Sequence, residues 1–483
     1  MTLSRNILLI RPRSPNERFG LGPFFRVEPL GLEYVAATLR AHGHRVSIID
    51  QRFSAPIERV VRELRPDLVG ISCMHTVDIP TTLAAARAVK SVQRDVPVLV
   101  GGHVVSLFQR PFLDPSIDVL ALGDAEAGLA EFVRDLLAGA LRTVPSGFWL
   151  RRSLGATPDC FEQGTTAVEG ETGQVQPARD LVEPYRSKYL CVHKQPLWAV
   201  ETSRGCPYRC NFCSTSLRHQ RRLIERDLTH VERDFLDTGG NLFIVDDLFF
   251  YPADRSLELA KRLKRLGVRK DWILVQTRLD TVARHPEVVQ EWRGLARNID
   301  IFSGFEAPTD AQLLGLTKDM TIHAVETGLE VARRFGYGVT GNFVVDPDWG
   351  EAEFHAMWDM VDRLSLTRLG YTILTPLPGT PLFTQLESRI REWDWSKWDM
   401  HHLLYEPKLG RQRFFELFVE CWRRNVLAGK NALPKLSSWA RGLSPTQMLV
   451  LVRVLWRTQR MLGVRHYLDE AFPLQVPAHL DRA

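Results

Sequence analysis

The strongest constraint on the fold is an alternation. Short, continuous apolar runs are each followed by a segment with helical spacing, in two separate series. In the first series, residues 6–10, 46–49, 68–72, 96–100 and 119–122 read as strands. Helical patterns at 29–41, 57–64 and 80–92 fall between them, the first marked by Leu32, Val35, Ala36 and Leu39. Strands that are apolar throughout are buried on both faces, which implies a parallel sheet covered by helices. The series predicts a doubly wound α/β domain over residues 1–140. Residues 141–196 lose the periodicity and carry Gly147, Gly155, Gly164, Gly170 and Gly173, so they read as a linker with room for one hairpin. The second series has strand candidates at 198–201, 242–245, 273–276, 299–303, 338–345 and 371–374, with helices between. Six βα units fall short of the eight that close a barrel, so an open (β/α)6 partial barrel is expected over 197–383. Residues 384–483 read as helical and aromatic, with Trp393, Trp395, Trp398, Trp422, Trp439 and Trp456.

Composition narrows the class. A chain of 483 residues suggests two or three domains, and 45% hydrophobic with 25% charged residues is ordinary for a globular protein. Seven cysteines, an odd number with one tight group, argue against a disulfide framework and for a reducing cytoplasm. The apolar run near the N-terminus is too short for a signal peptide, and no stretch reaches the ~20 residues that span a bilayer. The net charge is +5, but residues 401–483 hold 13 Lys/Arg against 6 Asp/Glu, an excess of +7. Within that region Ser444, Pro445 and Gln447 suit a helix start, and Arg453, Arg457 and Arg460 then share one helix face. Such a helix either lies on an anionic membrane or packs on the core with a solvated Arg stripe. Phe414, Phe415 and Phe418 either line a greasy entrance for substrate or form a small core. Nucleic acid is not an expected partner, because no basic stripe with interleaved aromatics flanks the motifs that carry chemistry.

Chemistry concentrates at one loop. Cys206, Cys210 and Cys213 stand in C-x3-C-x2-C spacing directly after a predicted strand. Thiolates are the standard iron–sulfur ligands, and three from one loop hold three irons of a cube, leaving the fourth open to an exogenous ligand. A structural zinc site would need a fourth protein ligand, and the nearest candidate is His193.

With Phe212 before the last cysteine, this segment resembles the radical S-adenosylmethionine superfamily. The other marks close successive strands: Val245-Asp246-Asp247, Gln276-Thr277-Arg278, Gly304-Phe305-Glu306 with Leu316-Thr317-Lys318, and the run from Thr375 to Thr380. The resemblance implies a [4Fe–4S] cluster on Cys206, Cys210 and Cys213. Its open iron would chelate S-adenosylmethionine, which one electron cleaves to a 5′-deoxyadenosyl radical. Asp246, Asp247, Gln276, Arg278 and Glu306 would bind the S-adenosylmethionine. Asp246 and Asp247 also suit a helix-capping role.

A parallel α/β domain ahead of such a barrel resembles the cobalamin-dependent subclass. The residues that carry this are Glu28-Pro29-Leu30-Gly31-Leu32, Gly101-Gly102-His103 and Gly123-Asp124-Ala125-Glu126. The resemblance implies a cobalamin site formed by Leu30, Gly31, Ser72, Gly101, Gly102, Gly123 and Glu126. The Asp-x-His-x-x-Gly pattern that supplies an axial histidine elsewhere is absent, the nearest segment being Cys73-Met74-His75. A cobalt without a protein nitrogen is therefore expected, although a degenerate domain that binds no ligand is compatible with the same residues. Within the subclass, residues 7–386 are most similar to hopanoid C-3 methylases, with bacteriochlorophyll ring methylases sharing the frame. Arg26-Val27-Glu28-Pro29, the run from Asn241 to Asp247, and Asp346-Pro347-Asp348-Trp349 carry that likeness. The implied activity is methyl transfer to an unactivated carbon of a hydrophobic, hopanoid- or tetrapyrrole-like molecule, with flavodoxin or ferredoxin as electron donor. Alternatives are a cyclase or rearrangement enzyme on the same cofactors, or a non-catalytic sensor. No catalytic residue beyond the cluster ligands is assigned. The expected location is cytoplasmic, with peripheral membrane contact open to the C-terminal region.

Overall fold

The computed structural model describes residues 4–14, 24–124, 126, 128–153, 155, 157–164, 175–426 and 459–468, with isolated positions between 445 and 456. Two parallel sheets, each wrapped by helices, organise the chain. In the first, β1 (Asn6–Arg11), β3 (Arg45–Asp50), β4 (Leu68–Ser72), β5 (Val98–Gly101) and β6 (Val119–Ala121) pair in parallel in the order β3-β1-β4-β5-β6. This is the doubly wound order whose ligands sit at the C-terminal ends of the strands. Apolar residues on both faces explain it: Leu8, Val69 and Val100 enter one core cluster, and Ile7, Leu9 and Leu99 the other.

The glycine-rich stretch after β6 contributes structure of its own. Strands β7 (Phe148–Arg151) and β8 (Phe161–Gln163) form an antiparallel hairpin that extends the sheet beyond β6. Further on, β9 (Leu190–Cys191) pairs with β2 (Phe25–Arg26), so this stretch is stitched into both sides of the first domain.

The second sheet holds β10 (Trp198–Val200), β13 (Asn241–Ile244), β14 (Lys270–Gln276), β15 (Ala296–Glu306), β16 (Gly338–Val345) and β17 (Leu369–Ile373), all parallel and in sequence order. Between β10 and β13 lies a short antiparallel pair, β11 (Ser203–Arg204) and β12 (Ile224–Glu225). These six parallel strands match the six expected, and β10 and β17 have no strand between them. The outer residues, such as Ile273, Val275, Ile301, Phe343, Val345 and Tyr371, are buried under helices. The alternate residues on the inner face, from Leu274 to Thr372, are only half-buried. One end of that face is closed where Phe25 packs edge-on to Phe243, at 5.2 Å.

The segment after β17 turns back onto the first domain. Leu382, Phe383, Trp395 and Trp398 join its core, and Trp395 meets Trp398 at 4.8 Å and Phe108 at 5.7 Å. Phe414, Phe415 and Phe418 are buried in the second domain's core on the helix Arg411–Val426. These aromatic residues are therefore core. Most of the predicted helix from Ser444 to Leu462, with Arg457 and the side chain of Arg460, lies outside the described residues. Among the described residues no helix is long and apolar enough to cross a membrane.

Candidate active site

Three free thiols, Cys206, Cys210 and Cys213, sit half-buried on the loop that follows β11. Cys206 feels the charge of both Cys213 and Cys210, and Cys210 that of Cys213. Burial pushes the Cys206 thiol up to about 11 and raises Cys210, while Lys318 and Arg278 pull Cys210 back. Among the described residues no group of three His, Cys, Asp or Glu side chains is set to hold a single metal ion.

The loop is anchored at its tip and at both ends. At the tip, the backbone N–H of Asn211 donates to Leu316 and its side chain to Gly315, while Leu382 donates to the Asn211 carbonyl. Asp246, after β13, is buried and accepts from the Thr202 N–H at 2.6 Å, the Thr202 hydroxyl at 2.5 Å and the Ser203 hydroxyl at 2.7 Å. It thereby fixes the chain just before the cysteines. Asp247 accepts from the Gly205 N–H at 3.1 Å, and burial pushes its carboxyl up to about 6. Arg278 lies 3.7 Å over the Tyr208 ring, donates to Asp280 at 2.9 Å and bonds the Asp319 carbonyl. Glu306 pairs with Lys318 at 2.5 Å. Gln276 ends β14 half-buried, its carbonyl accepting from Phe249. All five residues expected around S-adenosylmethionine thus stand at the same strand ends. Asp246 and Arg278 commit their polar atoms to the loop and its neighbours.

The other ends of the loop touch the first domain. Arg204 meets Glu126 at 2.7 Å and Asp124 at 3.4 Å. Arg218 donates to Asp124 at 2.7 Å and to the Gly123 carbonyl at 2.9 Å. His219 Nε2 lies 3.1 Å from Asp124, and His103 Nε2 lies 2.8 Å from the Ser214 hydroxyl. Burial raises the Asp124 carboxyl, but the hydrogen bond from His219 and the charges of Arg204 and Arg218 overcome it and hold the group far below the carboxylate range. Sequence reading found Gly123, Asp124 and Glu126 but missed their partners. Charges 78 to 95 residues apart give no local signal.

The residues expected at cobalamin fall into two groups. Ser72, Gly101, Gly102 and Gly123 end adjacent strands on one edge, beside Met74, whose side chain is 42% exposed. The Ser106 hydroxyl ties two of those turns, donating to Gly102 and accepting from Gly123. Leu30 is instead buried against Tyr34 and Ala199, Gly31 is exposed beside it, and Glu126 spends its carboxylate on Arg204. Gly102 needs its glycine for a protein reason: at φ 114 a Cβ would stand 2.5 Å from the Cys73 carbonyl oxygen.

Residues 23–133 match the B12-binding domain family. The chain is 29% identical over 406 residues to the hopanoid C-3 methylase of Methylococcus capsulatus, spanning 82% of this chain and 76% of that protein. OxsB, solved with aqua-cobalamin and S-adenosylmethionine, shares the fold at TM-score 0.69 over 96% of this chain and 78% of its own, with 14% identity. The radical methyltransferase TsrM of Kitasatospora setae, solved with cobalamin and a [4Fe–4S] cluster, follows at TM-score 0.62 and 17% identity over 80% of this chain and 75% of that one.

The chain is a relative of the cobalamin-dependent radical S-adenosylmethionine enzymes.

The donor set of this radical-enzyme relative fits the cofactors bound in those solved structures. Three free thiols on one loop suit a cluster that keeps one iron open. On the first sheet, Ser72, Met74 and Leu122 at the strand ends leave partly exposed surface for a flat macrocycle. Near that edge His75 keeps its Nδ1 3.3 Å from Asp78, and His103 Nε2 is 2.8 Å from the Ser214 hydroxyl.

Proposed function

We propose that the chain is a cobalamin-dependent radical methyltransferase that acts on an unactivated carbon of an uncharged, largely apolar molecule. The observation that carries the substrate class is the inner face of β14–β17. Its half-buried residues include the uncharged Leu274, Gln276, Phe302, Thr340, Asn342, Val344 and Thr372, together with Asp300, whose carboxylate is taken up by Arg368 at 2.7 Å and the Trp272 indole at 2.6 Å. Asn342 donates to the Thr372 hydroxyl at 3.0 Å, so part of the polar surface is internally paired. An anionic substrate would lose its water against those uncharged residues at a cost of several kcal/mol, and the nearby cations Arg278, Lys318 and Arg368 are already paired with Asp280, Glu306 and Asp300. A neutral polycyclic molecule of the hopanoid type meets no such penalty.

When bound, the cofactors supply one-electron cleavage of S-adenosylmethionine and a transferable methyl group. Cys206, Cys210 and Cys213 would hold the cluster, Arg278 and Tyr208 stiffen its loop by stacking, and Asp246 fixes where that loop begins. A bulky apolar substrate seated on that face would itself displace water from the reacting carbon, which protects a radical from quenching.

The test is expression in a lipid-producing host, with mass spectrometry for metabolites that gain one methyl group. Turnover that yields 5′-deoxyadenosine and one S-adenosylhomocysteine per product supports the reading. Product without S-adenosylhomocysteine would mean a cyclase or rearrangement enzyme, and no 5′-deoxyadenosine at all would mean a sensor.

A further inference from the structure

We propose that Asp124 is a positioning residue that sets the cluster loop at a fixed distance from the corrin-side edge of the first domain; this rests on the reading of the two cofactor sites above. The loop's tip belongs to its own domain through Asn211. Its flanks belong to the other. Arg204 stands two residues before Cys206, and Arg218 and His219 follow Cys213 by five and six. All three converge on the Asp124 carboxylate, at 3.4, 2.7 and 3.1 Å. Ser214, next to Cys213, is bonded to His103, which starts the helix His103–Leu107 after the Gly101-Gly102 turn.

Ordinary domain glue spreads its ionic contacts over a surface. Here both flanks of a nine-residue cysteine segment (205–213) close on one side chain that is 4% exposed, between partners Arg204 at 8% and His219 at 5%. Such a group has little freedom to drift, because moving it strands two guanidinium groups and a hydrogen-bonded histidine in a region of low dielectric. Asp124 is in turn fixed to the cobalamin edge. The neighbouring Gly123 N–H donates to Ser106, whose hydroxyl bonds the Gly102 carbonyl. One carboxylate therefore links the turn expected to lie beneath the corrin to both ends of the segment expected to hold the iron.

The test uses the full chain loaded with cluster and cobalamin, comparing wild type with Asp124→Asn and Arg218→Gln. Asp124→Asn keeps the side chain's size and removes its charge. Arg218→Gln removes one of the two guanidinium partners and covers the case in which the first variant does not fold. Iron and cobalamin per chain are measured first. The microwave-power saturation of the reduced cluster's electron paramagnetic resonance is then recorded with and without cob(II)alamin. In wild type, cobalamin should speed the cluster's relaxation, an effect that falls steeply with distance. The variants should retain both cofactors but show a severalfold smaller enhancement. A purely structural role would lower cofactor content or melting temperature and leave the enhancement of the loaded molecules unchanged, which would overturn the proposal. Wild-type protein that takes up no iron or no cobalamin would instead overturn the functional reading, and this inference with it.

Discussion

Glu306 and Lys318 form a buried ion pair, Oε1 to Nζ at 2.5 Å, at the end of the longest strand of the second sheet. Glu306 adopts φ 63, where the pairing of β15 with β16 shifts register between Gly304 and Glu306. A left-handed backbone costs a non-glycine residue about 1–2 kcal/mol. Lys318 offsets that strain by holding both the carboxylate and the Gly304 carbonyl, at 3.0 Å. Removing one partner strands the other charge, so Lys318→Met should destabilise the protein by about 3–5 kcal/mol. Urea unfolding of the apoprotein measures this. A double change, Glu306→Gln with Lys318→Met, should lose less than Lys318→Met alone, and a double loss equal to the sum of the two single losses would mean that the pair is not coupled.

The cluster prediction separates three cysteines from four. Changing Cys206, Cys210 and Cys213 together to Ala should abolish about four irons per chain and all cleavage of S-adenosylmethionine. Cys421→Ala should keep the iron. Its thiol is buried in the second core, donating to the Leu417 carbonyl at 3.2 Å and 3.4 Å from the Trp358 indole nitrogen, so it acts as a small core residue. Iron lost from a folded Cys421→Ala protein would show a fourth ligand.

Gly102 and Gly31 allow folding and cobalamin binding to be told apart. Gly102→Ala meets the Cys73 carbonyl and a φ of 114, and should destabilise the apoprotein by about 1–3 kcal/mol or more whether or not any ligand is present. Gly31 has no atom within 4 Å of a Cβ placed there. Gly31→Trp should therefore stay within about 0.5 kcal/mol of wild type. It should still lower cobalamin retention if the macrocycle covers the Leu30–Gly31 turn. Unchanged retention on gel filtration would move the ligand away from that turn.

Much of this architecture was legible because burial leaves a pattern in sequence. Strands apolar on both faces, such as β1 and β4, can belong only to a covered parallel sheet, and six such runs gave the six strands of the second domain in order. The hairpin of β7 and β8 was harder to see. Trp149 and Glu162 look like loop composition until β6 offers them an edge. The cysteine loop was legible from spacing, and the positions of Asp246 and Arg278 from strand ends. What those two side chains hold was not legible, because Thr202 and Tyr208 reach them only after the loop folds back. The Asp124 clamp and the Arg179–Glu28 ion pair at 2.9 Å lie beyond local reading for the same reason.

Acid should weaken the fold through His103. Burial, then the charges of Arg218, His75 and His219, lower its pKa to about 3. The unfolded chain titrates near 6.5, so above that pH neither state carries the proton and His103 contributes nothing to the slope. Below it the unfolded state takes up a proton that the native state refuses, and stability falls as pH falls from about 6.5 towards 3. By about pH 5 the loss is at most ~2 kcal/mol, less whatever residual solvent screening removes. Urea melts at the two pH values should show a flatter dependence for His103→Asn than for wild type. Identical slopes would mean that the imidazole protonates freely in the fold.

The inner face of the second sheet gives the most direct test of substrate class. Phe302 is half-buried there, on the strand that ends at Glu306, with its backbone paired to Gln276. Because the ring is already partly in water, Phe302→Leu and Phe302→Asp should both fold. The leucine variant keeps an apolar wall and should keep most activity. The aspartate places a charge where a greasy substrate would strip away its water, so the methyl-transfer kcat/KM should fall by more than about tenfold, equivalent to 1.4 kcal/mol. Cleavage of S-adenosylmethionine in the absence of substrate should change little, since Phe302 touches neither the cysteines nor their loop in the contacts described. A third variant, Phe302→Lys, decides the sign. For a neutral substrate it should be as harmful as aspartate. If it instead raised turnover of a carboxylated tetrapyrrole, the acceptor would be anionic and the hopanoid-like reading would fall.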